Sequence, residues 1–422
     1  MTNSLNRRTF LGASAAATAI LSAPAVLGQG KGRVVVIGGG AGGATAARYI
    51  AKDSKGAVDI TLVEPTRTYY TCFFSNLYLG GFREYDSLGH SYGTLASEYG
   101  INVVHDWAVG VDRDAKTVTL AGGDTLGYEA LVLSPGIDFA PGSVPGWDVS
   151  AQNKMPHAYK GGSQTQLLKA QIEAMPEGGT FVMVAPPNPY RCPPGPYERV
   201  SMVAHTLKAK NPTAKILVLD PKEKFSKMGL FQEGWQRHYA GMIEWVGGDF
   251  GKVQEVRPDS MEVVVDGEVT KAAVCNVIPA MKAGKIAEVA GVTNDKGWAP
   301  VDPNTMASTA DANIYVLGDA TQNGDMPKSG FSANSQAKVA AMAVRAQLTG
   351  SKMFPARYSN TCWSLIDTDD GVKVGASYQA GEGKIAKVDG FISQTGEDAA
   401  LRKQTYEESI GWYAGITADM FG

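Results

Sequence analysis

The stretch Arg33–Glu64 decides the fold of this chain, and it reads RVVVIGGGAGGATAARYIAKDSKGAVDITLVE. The residues Arg33–Ile37 are typical of a buried strand, and they run into a glycine-rich turn and a helix over Ala44–Lys52. A second strand, Asp59–Val63, ends at the acidic residue Glu64. This order of strand, glycines, helix, strand and acid is the context in which a GxGxxG motif binds a dinucleotide.

The glycines and the acid of this motif have separate expected roles. Gly38 makes the turn out of the strand, Gly40 lets a pyrophosphate approach the backbone, and Gly43 lets the helix pack on the strand. Glu64 is expected to hold the hydroxyl groups of the adenosine ribose. The sequence therefore predicts that this turn cradles a dinucleotide.

Two later stretches indicate that the dinucleotide is FAD rather than NAD, because they resemble motifs of the glutathione-reductase-like flavoproteins. Leu131–Gly136, LVLSPG, resembles their crossover from a strand into a glycine turn, with Gly136 in the turn. Ser308–Ala320 resembles their second FAD motif, in which an aspartate contacts the ribityl chain, and Asp319 holds that position here. Either stretch alone also fits a buried strand ending in a turn, but their order and spacing after Gly38 argue against coincidence.

A helix is predicted over Ser332–Leu348, where apolar residues recur along one face. By the same resemblance its N-terminus faces the pyrimidine end of the flavin. The partial positive charge of a helix N-terminus would stabilise an anionic reduced ring there. A surface helix that covers the sheet is equally compatible with the pattern.

A second strand–turn–helix unit, Thr180–Val200, carries proline where the first carries glycine, and it reads TFVMVAPPNPYRCPPGPYERV. A strand over Phe181–Val184 leads into the turn, and a helix over Glu198–Lys208 follows it. Proline has no backbone N–H and a fixed φ, so the turn lacks the donors that a pyrophosphate needs. We therefore predict that this unit binds no nicotinamide dinucleotide and presents a thiol, Cys192, instead.

The predicted fold class is α/β, with two Rossmann-like domains of the dinucleotide-binding type and a small α+β C-terminal domain. The FAD-binding domain is expected in two parts, 31–160 and 270–350. The second Rossmann-like domain, 161–269, is inserted between them and carries the Cys192 turn. The C-terminal domain is expected over 351–422.

The first thirty residues, 1–30, have the pattern of a twin-arginine signal peptide. Asn6–Leu11, NRRTFL, is followed by the apolar run Gly12–Leu21 and the small-residue site Ala23–Ala25. A transmembrane anchor is the alternative, but the run is short and rich in alanine. We expect export in the folded state to a bacterial periplasm, where disulfides persist. No later run of eighteen apolar residues occurs, so no stable membrane insertion is expected.

Composition excludes some classes of function. The chain has 422 residues and a formal net charge of −3, which gives no electrostatic footprint for nucleic acid. The five histidines are scattered, and none is spaced with a cysteine or a carboxylate as metal ligands are. We therefore expect no metal site.

Four cysteines divide into two kinds of position. Cys72 lies a few residues after Glu64, in a segment that runs along the flavin in this fold. Cys192 lies in the proline turn, and Cys362 lies in the C-terminal domain. Cys275 lies in an apolar strand, where a buried thiol packs as a small hydrophobe, so we expect it to be inert.

Two C-terminal stretches carry a specific resemblance, which extends over essentially the whole chain. Asn360–Tyr378, NTCWSLIDTDDGVKVGASY, and Ile416–Gly422, ITADMFG, resemble the flavoprotein subunit of flavocytochrome c sulfide dehydrogenase. The resemblance implies a periplasmic FAD enzyme that oxidises hydrosulfide to sulfur or polysulfide. It also implies a heterodimer with a cytochrome c subunit as electron acceptor. No Cys-x-x-Cys-His occurs in the chain, so haem is expected only in that partner.

The resemblance assigns the site residues. Cys72 matches the cysteine that is joined through sulfur to the flavin 8α-methyl group. Cys192 and Cys362 match a redox-active disulfide beside the flavin, and Glu198 matches an acid that handles substrate protons. From the residues alone, the disulfide could also be a structural staple. Glu198 could likewise be an acid placed in the first turn of a helix by its dipole.

Three other functions stay open on the sequence. A sulfide:quinone reductase would share the flavin and the cysteines, and its C-terminal surface would enter a membrane. The aromatic and apolar tail residues Trp412, Tyr413, Met420 and Phe421 stand among acids and are expected to be core contacts instead. A pyridine-nucleotide disulfide reductase is disfavoured by the proline turn, and a non-catalytic flavin electron carrier is disfavoured by three cysteines at one flavin.

Overall fold

The computed structural model describes residues 32–422, and the predicted signal peptide over 1–30 lies outside them. The helices are α1 Gly43–Ser54, α2 Ser75–Leu79, α3 Gly93–Tyr99, α4 Ser163–Glu173, α5 Gly195–Lys210, α6 Met228–His238, α7 Lys285–Val289, α8 Gly330–Thr349 and α9 Ala399–Phe421. The strands are β1 Gly32–Ile37, β2 Val58–Val63, β3 Thr68–Tyr70, β4 Gly89–Ser91, β5 Asn102–Val104, β6 Ala108–Asp112, β7 Thr117–Leu120, β8 Thr125–Gly127, β9 Ala130–Leu133, β10 Ile137–Phe139, β11 Thr180–Val184, β12 Lys215–Asp220, β13 Ile243–Gly247, β14 Glu255–Arg257, β15 Glu262–Val265, β16 Glu268–Lys271, β17 Val274–Val277, β18 Met281–Ala283, β19 Ala307–Ser308, β20 Asp311–Val316, β21 Arg357–Asp367, β22 Asp370–Ala380 and β23 Ile385–Ile392.

The first sheet contains the strand that opens the glycine motif. Its strand order is β19-β20-β9-β1-β2-β5, and β1 pairs in parallel with β2 on one side and β9 on the other. Because β1 and β9 are covered on both faces, Val34–Ile37 and Ala130–Leu133 are continuous apolar runs rather than alternating ones. The carboxyl ends of β1, β9 and β20 therefore lie side by side, and they bring together Gly38, Gly136 and Asp319. The predicted α/β class is confirmed.

The second sheet has the strand order β13-β12-β11-β17, and all its pairs are parallel. Here β17 pairs with β11, and Phe181 lies opposite Val274. The predicted boundary at 270 falls before β17, so the second sheet extends beyond it. All four residues of β17 are buried, and helix α4 packs against this strand.

The C-terminal part forms a three-stranded antiparallel sheet, β21-β22-β23, with α9 packed on β22. Strand β21 contacts both α5, from the second sheet's layer, and α8, from the first. It therefore spans the two Rossmann-like units at the point where their helices begin. This position carries Cys362, which lies opposite Val374 in the register of the hairpin.

The tail residues are built into the core. Tyr413, Met420 and Phe421 are buried, which confirms the expected core contacts, and Trp412 is half-buried. Within residues 32–422, none of the helices combines the length and the apolar character needed to cross a bilayer.

Candidate active site

The glycine turn after β1 has the close backbone approach that a dinucleotide cradle requires. Gly38 has φ of +96°, and a Cβ there would lie 2.3 Å from the carbonyl oxygen of Ser134. A Cβ on Gly43 would lie 1.8 Å from the carbonyl oxygen of Gly38. The backbone N–H of Gly39 donates to Oε2 of Glu64 at 2.8 Å, so the predicted ribose acid lies against the turn.

Asp319 provides a direct test of whether FAD fits this site. The residue is buried, and its Oδ1 has no hydrogen-bond partner within the described part of the chain. Its Oδ2 lies 3.5 Å from the guanidinium of Arg191. A buried carboxylate oxygen without a donor is costly, and a ribityl hydroxyl group would satisfy it. The glycine turn and Asp319 therefore fit FAD.

Helix α8 begins beside this site and is longer than the predicted helix by two residues at its start. Ser329 caps it, since its Oγ accepts from the N–H of Ser332 at 3.0 Å. The cap Ser329 and the first residue of α8, Gly330, line two cavities. The N-terminus of α8 therefore lies between the two cavities, and its position at the pyrimidine end of the flavin stays a prediction.

The proline turn after β11 holds Cys192 in a fixed backbone conformation. Cys192 has φ of +55°, in the left-handed region. Its N–H donates to the carbonyl of Lys328 at 2.7 Å, and its own carbonyl accepts from the N–H of Gly195 at 2.8 Å. The hydroxyl of Tyr159 also donates to that carbonyl, at 3.1 Å. The turn therefore uses its few backbone donors internally and presents the thiol.

Two cavities meet at the start of α8 and collect the cysteines predicted to be functional. The first, of about 40 Å³, is lined by Cys72, Cys192, Arg191 and Arg199. The second, of about 60 Å³, is lined by Cys362, Glu198, Phe331, Trp363 and Trp412. Both share the wall formed by Phe73, Ser329 and Gly330. The structure thus brings together Cys72, Cys192, Cys362 and Glu198, which are far apart in sequence.

The thiols of Cys192 and Cys362 differ in their surroundings. Both are free in the structure, and their pairing as a disulfide stays a prediction. Burial raises the pKa of Cys192 well above its usual value, and the neighbouring Cys362 and Glu198 raise it further. Burial also raises the pKa of Cys362, but the side chain of Asn360, 3.4 Å from its Sγ, and the ammonium of Lys227 act in the opposite direction. Cys275 is buried, as expected, and burial raises its pKa to about 12.

Glu198 lies in the first turn of α5 with one donor on each carboxylate oxygen. The side chain of Asn76 donates to Oε2 at 2.8 Å, and the N–H of Leu365 donates to Oε1 at 2.9 Å. Burial raises the pKa of Glu198, and these two donors and Lys227 oppose the rise without cancelling it. The carboxyl group is therefore a proton acceptor of raised basicity beside Cys362.

Sequence reasoning missed three polar residues of the site. Asn76 joins Glu198 to Arg199, whose Nε donates to Oδ1 of Asn76 at 3.1 Å. Lys227, immediately before α6, donates to the carbonyl of Cys362. Arg199 follows Glu198 directly and could have been singled out by that position. Lys227 lies in an ordinary polar stretch, KEKFSK, and no local signal marks it.

Fold and site together define an FAD-dependent oxidoreductase of the kind that contains two Rossmann-like units. The family model for pyridine nucleotide-disulphide oxidoreductases matches residues 32–171, which hold the glycine turn.

Two more specific family models cover the rest of the site. The model of the central part of the sulfide dehydrogenase (flavocytochrome c) flavoprotein chain matches residues 165–279. The model of the flavin-binding part of flavocytochrome c sulphide dehydrogenase matches residues 355–421. The sulfide dehydrogenase (flavocytochrome c) flavoprotein chain of Chlorobaculum thiosulfatiphilum is 51% identical over 47 residues, which are 11% of this chain and 96% of that sequence. The chain belongs to the family of flavocytochrome c sulfide dehydrogenase flavoprotein chains.

More distant relatives match shorter parts of their own length. The mitochondrial sulfide:quinone oxidoreductase of Mus musculus is 24% identical over 299 residues, 68% of this chain and 65% of that protein. The sulfide-quinone reductase of Aquifex aeolicus is 33% identical over 105 residues, 24% of each chain. The chain therefore spans less than two thirds of either relative.

Solved structures share the fold. The sulfide:quinone oxidoreductase of Aquifex aeolicus superposes with a TM-score of 0.69 at 18% identity, over 92% of both chains. An NAD-dependent persulfide reductase from A. fulgidus superposes with a TM-score of 0.62 at 19% identity, over 89% of this chain and 76% of that one. At these identities the likeness establishes the common architecture.

Proposed function

We propose that this chain oxidises hydrosulfide to elemental sulfur or polysulfide and passes the electrons to a cytochrome c subunit. The observation that carries the proposal is the convergence of Cys192, Cys362 and Glu198 on two small cavities at the start of α8. Hydrosulfide is small enough to enter these cavities, whose volumes are about 40 and 60 Å³. In balanced form, HS⁻ and two ferric cytochromes give S⁰, H⁺ and two ferrous cytochromes.

The reaction begins at a disulfide between Cys192 and Cys362. Hydrosulfide attacks one sulfur, the S–S bond breaks, and a persulfide and a thiolate result. Glu198 accepts the substrate proton, since its carboxylate lies in the cavity of Cys362 and burial raises its pKa. The rings of Phe331, Trp363 and Trp412 pack against one another and form an apolar wall of this cavity.

FAD is held by the first unit. Gly38, Gly40 and Gly43 admit the pyrophosphate, Glu64 takes the ribose, and Asp319 takes the ribityl chain. Cys72 is proposed to hold the isoalloxazine covalently through the 8α-methyl group, since it lines the cavity shared with Cys192. The bound flavin supplies a two-electron acceptor that releases electrons singly, which suits a cytochrome.

The acceptor and the location belong to the same proposal. The twin-arginine pattern before residue 30 supports export of the folded holoprotein to the periplasm. A periplasmic cytochrome c is the one-electron acceptor implied by the family. Because the chain is also similar to sulfide:quinone oxidoreductases, a quinone is the alternative acceptor with which the cytochrome is compared.

The test is an anaerobic titration of the holoprotein with sulfide, monitored by flavin absorbance, followed by addition of cytochrome c or of a short-chain quinone. We expect stoichiometric bleaching by sulfide and reoxidation by the cytochrome. A denaturing gel of the same preparation should show flavin fluorescence on the protein band, and a Cys72→Ser control should show none. If the flavin stayed oxidised after sulfide was added, the proposal would be contradicted. If only the quinone reoxidised the reduced flavin, the electron acceptor would be a quinone instead of a cytochrome.

A further inference from the structure

Lys227 is a buried lysine whose ammonium is fixed on the strand that carries Cys362. The residue is 5% exposed and precedes α6 with φ of +63°. Its Nζ lies 3.0 Å from the carbonyl oxygen of Cys362 and 2.8 Å from Oγ of Ser364, and it also reaches the carbonyl of Val372 at 3.4 Å. An ammonium group has three donors, and here each has an acceptor.

The acceptors of Lys227 are all neutral groups, so its positive charge is not cancelled by a carboxylate in contact. Burial lowers its pKa to about 8, while Cys362, Glu198 and Cys192 raise it in that order. An anion on Cys362 therefore favours the ammonium form of Lys227. A positive charge that no anion contacts is costly in a buried site unless an anion forms nearby.

The charged and titratable groups that face this site come from five parts of the chain. Glu198 and Arg199 belong to α5, and Cys192 belongs to the turn before it. Cys72 follows β3, Cys362 belongs to β21, and Tyr378 belongs to β22. The guanidinium of Arg199 donates to the backbone carbonyls of His157 and Ala158. It also donates to the side-chain oxygens of Asn76 and Asn276. Lys227 is therefore the cation placed to respond to a charge on Cys362.

We propose that Lys227 is a positioning residue that stabilises the sulfur anion formed on Cys362 when the disulfide is opened. The inference rests on the proposed function. In the step HS⁻ + Cys192–S–S–Cys362, the S–S bond breaks and one cysteine gains an S–SH group while the other leaves as a thiolate. Attack on Cys192 leaves the thiolate on Cys362, and attack on Cys362 leaves a persulfide there, which is more acidic than a thiol.

The leaving group explains why this charge would matter. In thiol–disulfide exchange a thiol of lower pKa leaves faster. The Asn360 side chain and Lys227 both act to lower the pKa of Cys362. Lys227 also acts to lower the pKa of Cys192, but burial, Cys362, Glu198 and Cys72 raise it. The two sulfurs are therefore not equivalent, since Lys227 donates to the backbone carbonyl of Cys362 and Asn360 lies beside its Sγ.

The experiment measures thiol ionisation in the reduced holoprotein, without sulfide or cytochrome. Alkylation by iodoacetamide is followed from pH 5.5 to 10 under anaerobic conditions, and peptide mass spectrometry reads Cys362 and Cys192 separately. We expect Lys227→Met to move the midpoint of the Cys362 profile up by about one pH unit, which is about tenfold slower alkylation at pH 7. Lys227→Arg, which keeps the charge, should stay near the wild type.

Lys222→Met is the matched control, because Lys222 is also a buried lysine of the second unit but pairs with Asp220 at 2.6 Å. It should leave the Cys362 profile in place. An unchanged profile in Lys227→Met, or an equal shift in Lys222→Met, would overturn the inference. Should Lys227→Met fail to fold, Lys227→Gln takes its place, because it removes the charge and keeps a side chain that can donate to the same carbonyl groups.

The sulfide reaction is then measured on the same variants. Lys227→Met should bleach its flavin with sulfide about tenfold more slowly at pH 7, following the loss of thiolate. A shifted thiol profile with an unchanged sulfide rate would overturn the role in turnover. Because the thiol profile involves no substrate, a wild type that ignores sulfide but shows the Lys227 effect would reject the proposed function alone.

Discussion

Two strand-to-helix turns of the same topology have different chemical roles. The turn from β1 to α1 is glycine-rich, and its residues leave no room for a Cβ at Gly38 or Gly43. The turn from β11 to α5 is proline-rich, and it holds Cys192 with its N–H already bonded to the carbonyl of Lys328. The first turn admits a ligand's phosphate to the backbone, and the second displays a side chain.

The helices that follow differ in the same sense. The first turn of α1 contains no acidic residue, whereas that of α5 contains Glu198. A pyrophosphate is attracted to a helix N-terminus by the free N–H groups and the dipole, and a carboxylate already in place repels it. A Rossmann-like unit therefore does not define its ligand, which is set by the few residues of the turn.

The largest effect should follow from removing the thiols of the second turn. Cys192→Ser and Cys362→Ser should each lower sulfide-dependent cytochrome reduction by about a thousandfold or more, because each breaks a couple that acts as one unit. The double variant should be no slower than either single variant. The measurement is steady-state cytochrome reduction at 25 °C, with flavin content and melting temperature as controls.

A purely structural disulfide gives the opposite result. Closing a loop of about 170 residues between the two cysteines is worth roughly 5 kcal/mol on a chain-entropy estimate. If the bond were only a staple, the variants would melt at a lower temperature and retain their turnover. Retained turnover in either well-folded single variant would refute the redox role.

The next largest effects are expected from substituting one glycine in each turn. Gly43→Val should lose bound flavin, because even a Cβ there would lie 1.8 Å from the carbonyl oxygen of Gly38. Gly195→Ala should keep its flavin and slow the sulfide reaction, because its Cβ would lie 2.9 Å from Sγ of Cys192. Gly411→Ala, with open space around its Cβ, is the control for both.

The measurement is the flavin-to-protein absorbance ratio of the purified variants, together with their rate of bleaching by sulfide. We expect Gly43→Val to fall below about a tenth of the wild-type flavin content, since the clash is with rigid backbone. Flavin loss in Gly195→Ala would show that the two turns do not have separate tasks.

The glycine cradle could be predicted from the sequence because its signals are local. The strand, the turn glycines and Glu64 lie within one short stretch, and their contacts follow from the βαβ geometry. The second turn was predictable for the same reason, since proline excludes backbone donors wherever it occurs. Helix α8 and strand β11 were also found, with errors of one or two residues at their ends.

The supporting shell of the site could not be predicted, because it is made by contacts between distant segments. Lys227 and Cys362 are 135 residues apart in sequence, and Asn76 and Glu198 are 122 residues apart. Neither Lys227 nor Asn76 lies in a motif, and a lysine in a polar stretch is usually exposed. Strand β17 was assigned beyond the second unit because a short apolar strand does not indicate which sheet it joins.

A smaller effect tests the acid on α5. Burial raises the pKa of Glu198 above its usual value, so its carboxylate form is lost at a higher pH than in an ordinary glutamate. If it accepts the substrate proton, the sulfide rate, referred to the concentration of HS⁻, should fall as the pH falls through that pKa. Glu198→Gln should be about a hundredfold slower at pH 7, within the usual range for a general base.

The shape of the profile distinguishes this role from a structural one. In Glu198→Gln the decline on the acid side should disappear, because the carboxyl group that would cause it has been removed. Glu233→Gln, which removes an acid from α6 away from the cavities, should keep the wild-type shape. A Glu198→Gln profile that stays parallel to the wild type at a lower rate would mean that Glu198 only supports the fold.

The smallest effect is expected from NADH, and it bears directly on the second turn. The prolines leave few N–H groups, those of Cys192 and Gly195 are bonded within the protein, and Glu198 occupies the helix N-terminus. NADH should therefore cause no detectable bleaching of the flavin under anaerobic conditions at concentrations that saturate ordinary reductases. Sulfide added to the same cuvette provides the positive control. Rapid bleaching by NADH would show that a proline turn can still bind a pyrophosphate, and it would restore a pyridine-nucleotide reductase as the function.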